Sequence, residues 1–266
     1  MILAQHFPIL QILFPFAGAL LATIFFRFIL LTRIITICSI LTSFIISIYG
    51  YSIVKNTDIS YVMGGWASSI GIEYYLTSLN QAIIVYLNLV LLFFLIFCYN
   101  ITNQTILKYI NSNRRALFYA ILLFAHMGYL GMVSTNDFFN LYVFIEISAL
   151  SSYVLIASDG NTKSLIGALD YLIMGSIGAT LILIAIGFLL SITGSLNMLD
   201  VAVFLQKYSN SRIVTLSIGF FLIGVILKTA FFPMHFWMMR AYSTTASVIL
   251  VYLAGISTII GVYIIY

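Results

Sequence analysis

The chain has 266 residues, 63% of them hydrophobic and 7% charged, with mean hydropathy +1.15 and formal net charge +4. A soluble domain carries several times more charge, so the composition excludes a soluble enzyme and points to an integral membrane protein. Segments alternating between apolar and polar residues, which a β-barrel requires, are absent; an all-α protein, with its backbone polar groups satisfied inside helices, is what remains.

Crossing the hydrocarbon core takes about 20 mostly apolar residues per helix. Eight segments meet that length, at roughly 7–26, 34–54, 78–101, 116–134, 138–157, 165–192, 213–232 and 244–266. The first lacks a basic leader and an A-x-A-like cleavage site, so it is expected to be a span rather than a cleaved signal. Residues 55–77 are too polar and glycine-rich to span. Their YVMGGW and IGIEYYL pieces predict a short hairpin on the membrane surface. The stretch MLDVAVFLQKY (198–208) puts Val201, Phe204, Leu205 and Tyr208 on one side and predicts an amphipathic helix at the interface. The chain is thus expected to be a single membrane domain over 1–266, with helices 1–3 and the hairpin in 1–115 and helices 4–8 in 116–266. Cys38 and Cys98 both fall in apolar spans and predict buried structural thiols. No Gly-rich phosphate loop, CxxC pair or HExxH occurs; no cofactor, metal or nucleic acid is expected to bind.

Seven of the eleven basic residues, Arg27, Arg33, Lys108, Arg114, Arg115, Lys163 and Arg240, fall in alternate loops on one side. Lys55, Lys207 and Arg212 fall on the other. The positive-inside rule puts the seven in the cytoplasm and both termini outside, in a plasma (inner) membrane protein. The eleventh, Lys228, belongs to no loop.

Two ionisable residues stay inside the spans. Glu146 lies midway along the fifth, in LYVFIEISALSSYVLIA (141–157). An ionisable group at a helix centre costs about 2.5–3.5 kcal/mol on insertion scales, so it needs a partner. Tyr142 and Tyr153 share its face and can offer hydrogen bonds. Ser148, Ser151 and Ser152 occupy the other side and favour close helix packing. The alternative is a structural carboxylate bonded to a neighbouring helix. Lys228 sits near the inner end of the seventh span, five residues before Pro233, which should kink or end that helix. Gly224, one turn earlier, leaves room beside it. Glu146 and Lys228 can offset each other across two helices, so that moving a proton or cation near one changes the other; simple snorkelling of Lys228 is the competing reading. His126, within the fourth span, and His235, just beyond Pro233, are possible relays or else structural and surface residues. Asp170, near the start of the sixth span, is expected to favour the helix dipole.

Four ordered motifs carry a resemblance. NDFFNLYVFIEISALSSYVLIA (136–157) resembles the fifth-helix signature of proton-translocating antiporter-like subunits. These are the D-type subunits of Mrp-type cation/proton antiporters and the M and N subunits of respiratory complex I. ITGSLNMLDVA (192–202) is similar to the TGTLNM-type loop after their helix 6. LKTAFFPMHFW (227–237) resembles their helix 7 lysine with its Pro-x-His-x-Trp-like segment, and GGWASSIGIEYYL (64–76) the hairpin of D-type subunits. The resemblance runs nearly end to end. It implies that Glu146 and Lys228 form a proton-transfer pair, and that the chain corresponds to the opening helices and first of two inverted five-helix repeats. Departures are clear. Ile259, in GISTIIGVY, stands where the family's helix 8 usually has lysine. In MMRAYSTTA, Arg240, Tyr242 and Ala246 replace an acid, a histidine and a proline.

The expected function is a proton-translocating subunit of a multisubunit monovalent cation/proton antiporter, an ion-transport subunit with no redox site of its own. Expected partners are other membrane subunits, the lipid bilayer and a separate chain supplying the second repeat. One alternative is an antiporter-like proton-pumping subunit of an NADH:quinone oxidoreductase-type complex. Another is a truncated scaffold that conducts nothing.

Overall fold

The computed structural model describes residues 2–68, 71–99, 102–104, 110, 115–158, 160–208 and 211–265; Lys108 and Arg114 of the basic loops lie outside them. In chain order the elements are α1 (Ile2–Ile24), α2 (Ile29–Val54), β1 (Ile59–Val62), β2 (Glu73–Leu76), α3 (Ser78–Phe97), α4 (Arg115–Ser134), α5 (Phe138–Ala157), α6 (Thr162–Thr193), α7 (Met198–Lys207), α8 (Arg212–Thr229), α9 (Phe236–Thr244) and α10 (Ser247–Ile265). Among the described residues eight helices, all but α7 and α9, are long and apolar enough to cross a membrane. The protein is an all-α, multi-pass integral membrane protein.

Helix starts follow local chemistry. Thr77, Asp137 and Asn197 each accept a backbone N–H of the first turn of α3, α5 and α7. The hairpin forms as expected: β1 and β2 pair antiparallel, with Ile59 opposite Leu76 and Val62 opposite Glu73. Gly64 and Gly65 turn the chain between them at φ 67° and 75°, a left-handed region that side chains disfavour.

Helix α4 is the hub. It touches α1, α2, α3, α5 and α10, and 83% of its most apolar window is buried, against 28% for α2 and α8, which face outward. Without a hydrophobic drive between helices in lipid, close packing relies on small residues. A Cβ on Gly128 would stand 2.8 Å from Ser148 Cβ, and one on Gly131 would run into the Phe144 ring, so α4 and α5 meet backbone to backbone. Helices α6 and α8 cross in the same way, where a Cβ on Gly224 would lie 2.7 Å from the carbonyl oxygen of Gly178. The space that Gly224 leaves is therefore taken by a helix.

Four expectations need correction. Cys38 is exposed on the outer face of α2 and Cys98 is only half-buried; α2 packs by one face, and Cys38 lies off it. The seventh span stops at Thr229, short of 232. Ala230 adopts φ 54°, Phe231 N–H bonds to Ile226 O at 3.1 Å and Ala230 N–H to Leu227 O at 3.4 Å. This is a Schellman-type stop, normally built on glycine, and Pro233 lies beyond it in the turn. The ninth helix, α9, was not anticipated. Of the four residues expected on one side of α7, Val201 is buried and Phe204 and Leu205 half-buried, but Tyr208 is exposed past the helix end.

Candidate functional site

Lys228 Nζ donates to Glu146 Oε1 at 2.8 Å. The two residues lie 82 positions apart, one in the middle of α5 and one in the last turn of α8. The Lys228 side chain is 9% exposed and that of Glu146 25%. Three features of the chain set this geometry. Asp137 anchors the start of α5 by accepting Asn140 N–H at 2.6 Å. The glycine crossing of α6 and α8 draws α8 in. The stop at Ala230 leaves Lys228 at a helix C-terminus, whose partial negative charge favours a cation. The phenols were not recruited: Tyr153 Oη is buried without a hydrogen-bond partner. Ser148 and Ser152 bond back into their own helix, at 2.9 and 2.7 Å.

Beside the pair, a cavity of about 50 Å³ opens between α4, α5, α6, α8 and α10. Lys228, Tyr129, Ser148, Tyr171, Thr229 and Ser257 are among its walls. That is room for water with polar partners. Ile259 lines none of it. It borders a separate outward groove with Leu79 and Ile83 of α3, so the position where the resemblance leads one to look for a lysine points away from Lys228.

The two candidate relays lie elsewhere. His126 is fully buried, and its Nε2–H donates to Asn88 Oδ1 at 3.0 Å; its Nδ1 has no partner. Asn88 belongs to a cluster from the first four helices, all fully buried. Ser43 donates to Asn88 Oδ1 (3.3 Å) and to Gln11 O (2.7 Å), Asn88 Nδ2 to Ser47 Oγ (3.4 Å), and Gln81 Nε2 to Gln11 Oε1 (3.0 Å). His126 thus faces α3, while Tyr129, three residues on, faces the Lys228 cavity. His235 starts α9, stacked on Phe236 at 4.8 Å, with its Nδ1 unpartnered. Neither histidine is hydrogen-bonded to Glu146 or Lys228. Asp170 sits in the third turn of α6, because that helix begins at Thr162, too far along to serve its dipole; it pairs with Arg240 Nη1 at 3.0 Å.

A second buried carboxylate, unremarked in the sequence, lies at the hairpin end. Glu73 is 8% exposed. Its Oε1 accepts from Ser60 Oγ, and its Oε2 from Asn136 Nδ2 at 2.9 Å and Asn197 Nδ2 at 2.5 Å. Burial pushes this carboxyl up, but the three hydrogen bonds outweigh it and hold it below its ordinary value. A lone acid in IGIEYYL, and Gln or Asn inside apolar spans, were the available signals for Glu73 and for the Gln11–Asn88 cluster. Among the described residues no group of three or more His, Cys, Asp or Glu is placed to hold a metal ion.

Residues 135–266 match the family described as "NADH:quinone oxidoreductase/Mrp antiporter, TM". The N-type subunit of the NADH-quinone oxidoreductase of Desulforudis audaxviator is 34% identical over 268 residues, covering 99% of this chain and 52% of that protein. The D-type subunit of the Na(+)/H(+) antiporter of Alkalihalophilus pseudofirmus is 27% identical over 260 residues, covering 97% and 51%. Among solved structures, a chain of the membrane-bound sulfane sulfur reductase, an archaeal respiratory membrane complex, superposes with TM-score 0.83 at 25% identity, over 98% of this chain and 52% of that one. A chain of the Mrp complex from Dietzia sp. gives TM-score 0.84 at 20% identity, a likeness of fold, over 100% and 48%. The chain spans about half the length of the relatives it matches.

Proposed function

The chain belongs to the antiporter-like membrane subunit family shared by NADH:quinone oxidoreductases and Mrp antiporters, and from that premise we propose that it is a proton-translocating subunit of a multisubunit monovalent cation/proton antiporter in which Glu146 and Lys228 are the proton-transfer pair. The observation that carries this reading is the 2.8 Å contact between a nearly buried ammonium and a carboxylate in mid-span. Two unit charges about 4 Å apart attract by about 4 kcal/mol at an effective dielectric near 20. Opening such a pair leaves each charge without its partner in a largely apolar site. A charge moved elsewhere in the assembly then drives proton release from the pair, and closure restores it. Other membrane subunits and a second repeat supply the rest of the path, and the hairpin end faces outward across a plasma membrane.

The test is cation-dependent proton flux in vesicles holding the assembled complex. Glu146→Gln and Lys228→Ala should each abolish it, and normal flux in both removes the reading. A second assembly is favoured by one observation, the 34% identity to an N-type subunit against 27% to a D-type one. In that reading the same pair works within an NADH:quinone oxidoreductase-type complex. Co-purification with iron–sulfur subunits would select it, and co-purification with small membrane subunits alone would select the antiporter. A scaffold that conducts nothing predicts intact transport in Glu146→Gln and disassembled complexes without the chain.

A further inference from the structure

The stop at Ala230 leaves a backbone group to be satisfied inside the bundle. In a continuing helix, Leu227 O would accept Phe231 N–H. Here Phe231 N–H goes to Ile226 O at 3.1 Å, and Leu227 O keeps only the long contact from Ala230 N–H at 3.4 Å. The strong donor to Leu227 O comes from outside the helix. Trp237 Nε1–H, ten residues on in α9, reaches it at 3.0 Å in a buried contact. Leu227 immediately precedes Lys228, so the indole holds the peptide that carries the ammonium.

The indole is itself seated. Tyr171 of α6 stacks on it, with centroids 4.3 Å apart and planes 19° from parallel. Tyr153 of α5 meets Tyr171 edge-on at 4.6 Å and 75°. Tyr153 lies two turns beyond Glu146 on the same helix, and its hydroxyl fills the notch at Gly175, where a Cβ would collide with Tyr153 Oη. Further along α9, Thr244 fits against Gly167, and Arg240 pairs with Asp170 at 3.0 Å. Three rings thus run from the helix bearing Glu146, across α6, to the peptide before Lys228. Aromatic rings set such distances well, because they have few rotamers and favour defined stacking geometry.

We propose that Trp237, seated on Tyr171 and Tyr153, is a positioning residue for Lys228: its indole N–H fixes the Leu227 peptide and so sets the reach of the ammonium to Glu146. The proposal rests on the transport reading for its purpose, but its geometry is tested apart from transport. The assembled complex is prepared with Cys38→Ser, Cys98→Ser and Lys228→Cys, and the rate at which a membrane-permeant maleimide labels position 228 is measured per assembled complex. Trp237→Phe keeps a ring on Tyr171 and deletes the donor; Trp237→Leu deletes both. Labelling should rise by about fivefold in Trp237→Phe, the population change that one buried hydrogen bond is worth, and further in Trp237→Leu. Trp66→Phe, at an exposed tryptophan of the hairpin, should leave it at the parent rate. With Lys228 restored, Trp237→Phe should displace the pH profile of proton flux while assembly stays at the parent level. Parent-rate labelling in both Trp237 variants would overturn the proposal. If Glu146→Gln and Lys228→Ala both transport normally, the transport reading falls, and labelling still decides the positioning.

Discussion

At the scale of single residues, the central object is a largely buried ion pair, and its stability and the transport role proposed for it are separable. Removing one partner leaves a charge without compensation and costs about 3–5 kcal/mol in a buried setting, less on the Glu146 side, which is partly open. Replacing both with apolar residues of similar size is often neutral or stabilising. The double variant Glu146→Leu/Lys228→Met should therefore melt in detergent at or above the parent temperature, while either single change melts lower, and the double variant should carry no cation-driven proton flux. Flux in the double variant would deny the pair its role. His126 invites the opposite expectation. Its hydrogen bond goes to Asn88, in a cluster of neutral groups. Asn88→Leu should lower stability by about 1–3 kcal/mol, because it leaves Nε2–H buried and unmet, with flux per assembled complex within about twofold of parent on the same scale. A larger loss of flux would return His126 to the proton route.

At the scale of elements, two joints hold together the helices that carry the pair. One is the α6–α8 crossing at Gly178 and Gly224. Gly224→Leu would overpack it at a cost of about 1–3 kcal/mol; lower thermal stability together with loss of flux is the expected pattern, read by a melting curve and a vesicle assay. The other is the Glu73 node, where the hairpin, the α4–α5 turn and the α6–α7 turn meet through Ser60, Asn136 and Asn197. Backbone pairing supports it, with Asn136 N–H bonded to Glu73 O at 2.9 Å. Because the folded Glu73 carboxyl titrates below its ordinary value of 4.5, its contribution is fully present above that value and is lost as pH falls through the folded one. Protease resistance of the hairpin in detergent should be flat from neutral pH down to about 5 and fall in more acid buffer. Glu73→Gln should weaken the docking at neutral pH and remove the acid step at this site.

At the scale of the whole molecule, the helices fall into two sets that share α4. One set, α1 to α3, is joined by the polar cluster of Gln11, Ser43, Ser47, Gln81 and Asn88, from which Asn88 reaches His126 and Gln11 reaches Ser134 of α4. The other, α5, α6, α8 and α10, surrounds the cavity next to Lys228. The segregation gives each set a distinct chemistry, neutral amides and hydroxyls on one side of α4 and the ion pair on the other. Each interhelical hydrogen bond in a membrane is worth on average only about 0.6 kcal/mol, so the first set draws its strength from several acting together. Deleting Gln11 and Gln81 side chains together should loosen α1 from α3 and α4, visible as faster proteolysis of the N-terminal helix, with the ion pair intact.

What the sequence determined by itself was everything governed by local composition. Apolar runs long enough to cross a bilayer gave the eight spans to within a few residues, because hydrophobic length needs no knowledge of neighbours. Glu146 and Lys228 stood out for the same reason, as charges where lipid tolerates few. The tertiary structure alone decided who meets whom. The 2.8 Å contact joins residues 82 positions apart, and it depends on how closely α6 and α8 cross. The α8 helix stops after Thr229, at the left-handed Ala230 and short of Pro233, and its loose Leu227 carbonyl is met by an indole from the following helix. His126 turns to α3, and Glu73 gathers three distant segments, because buried polar groups seek partners in three dimensions and the chain's linear order does not record where those partners will be.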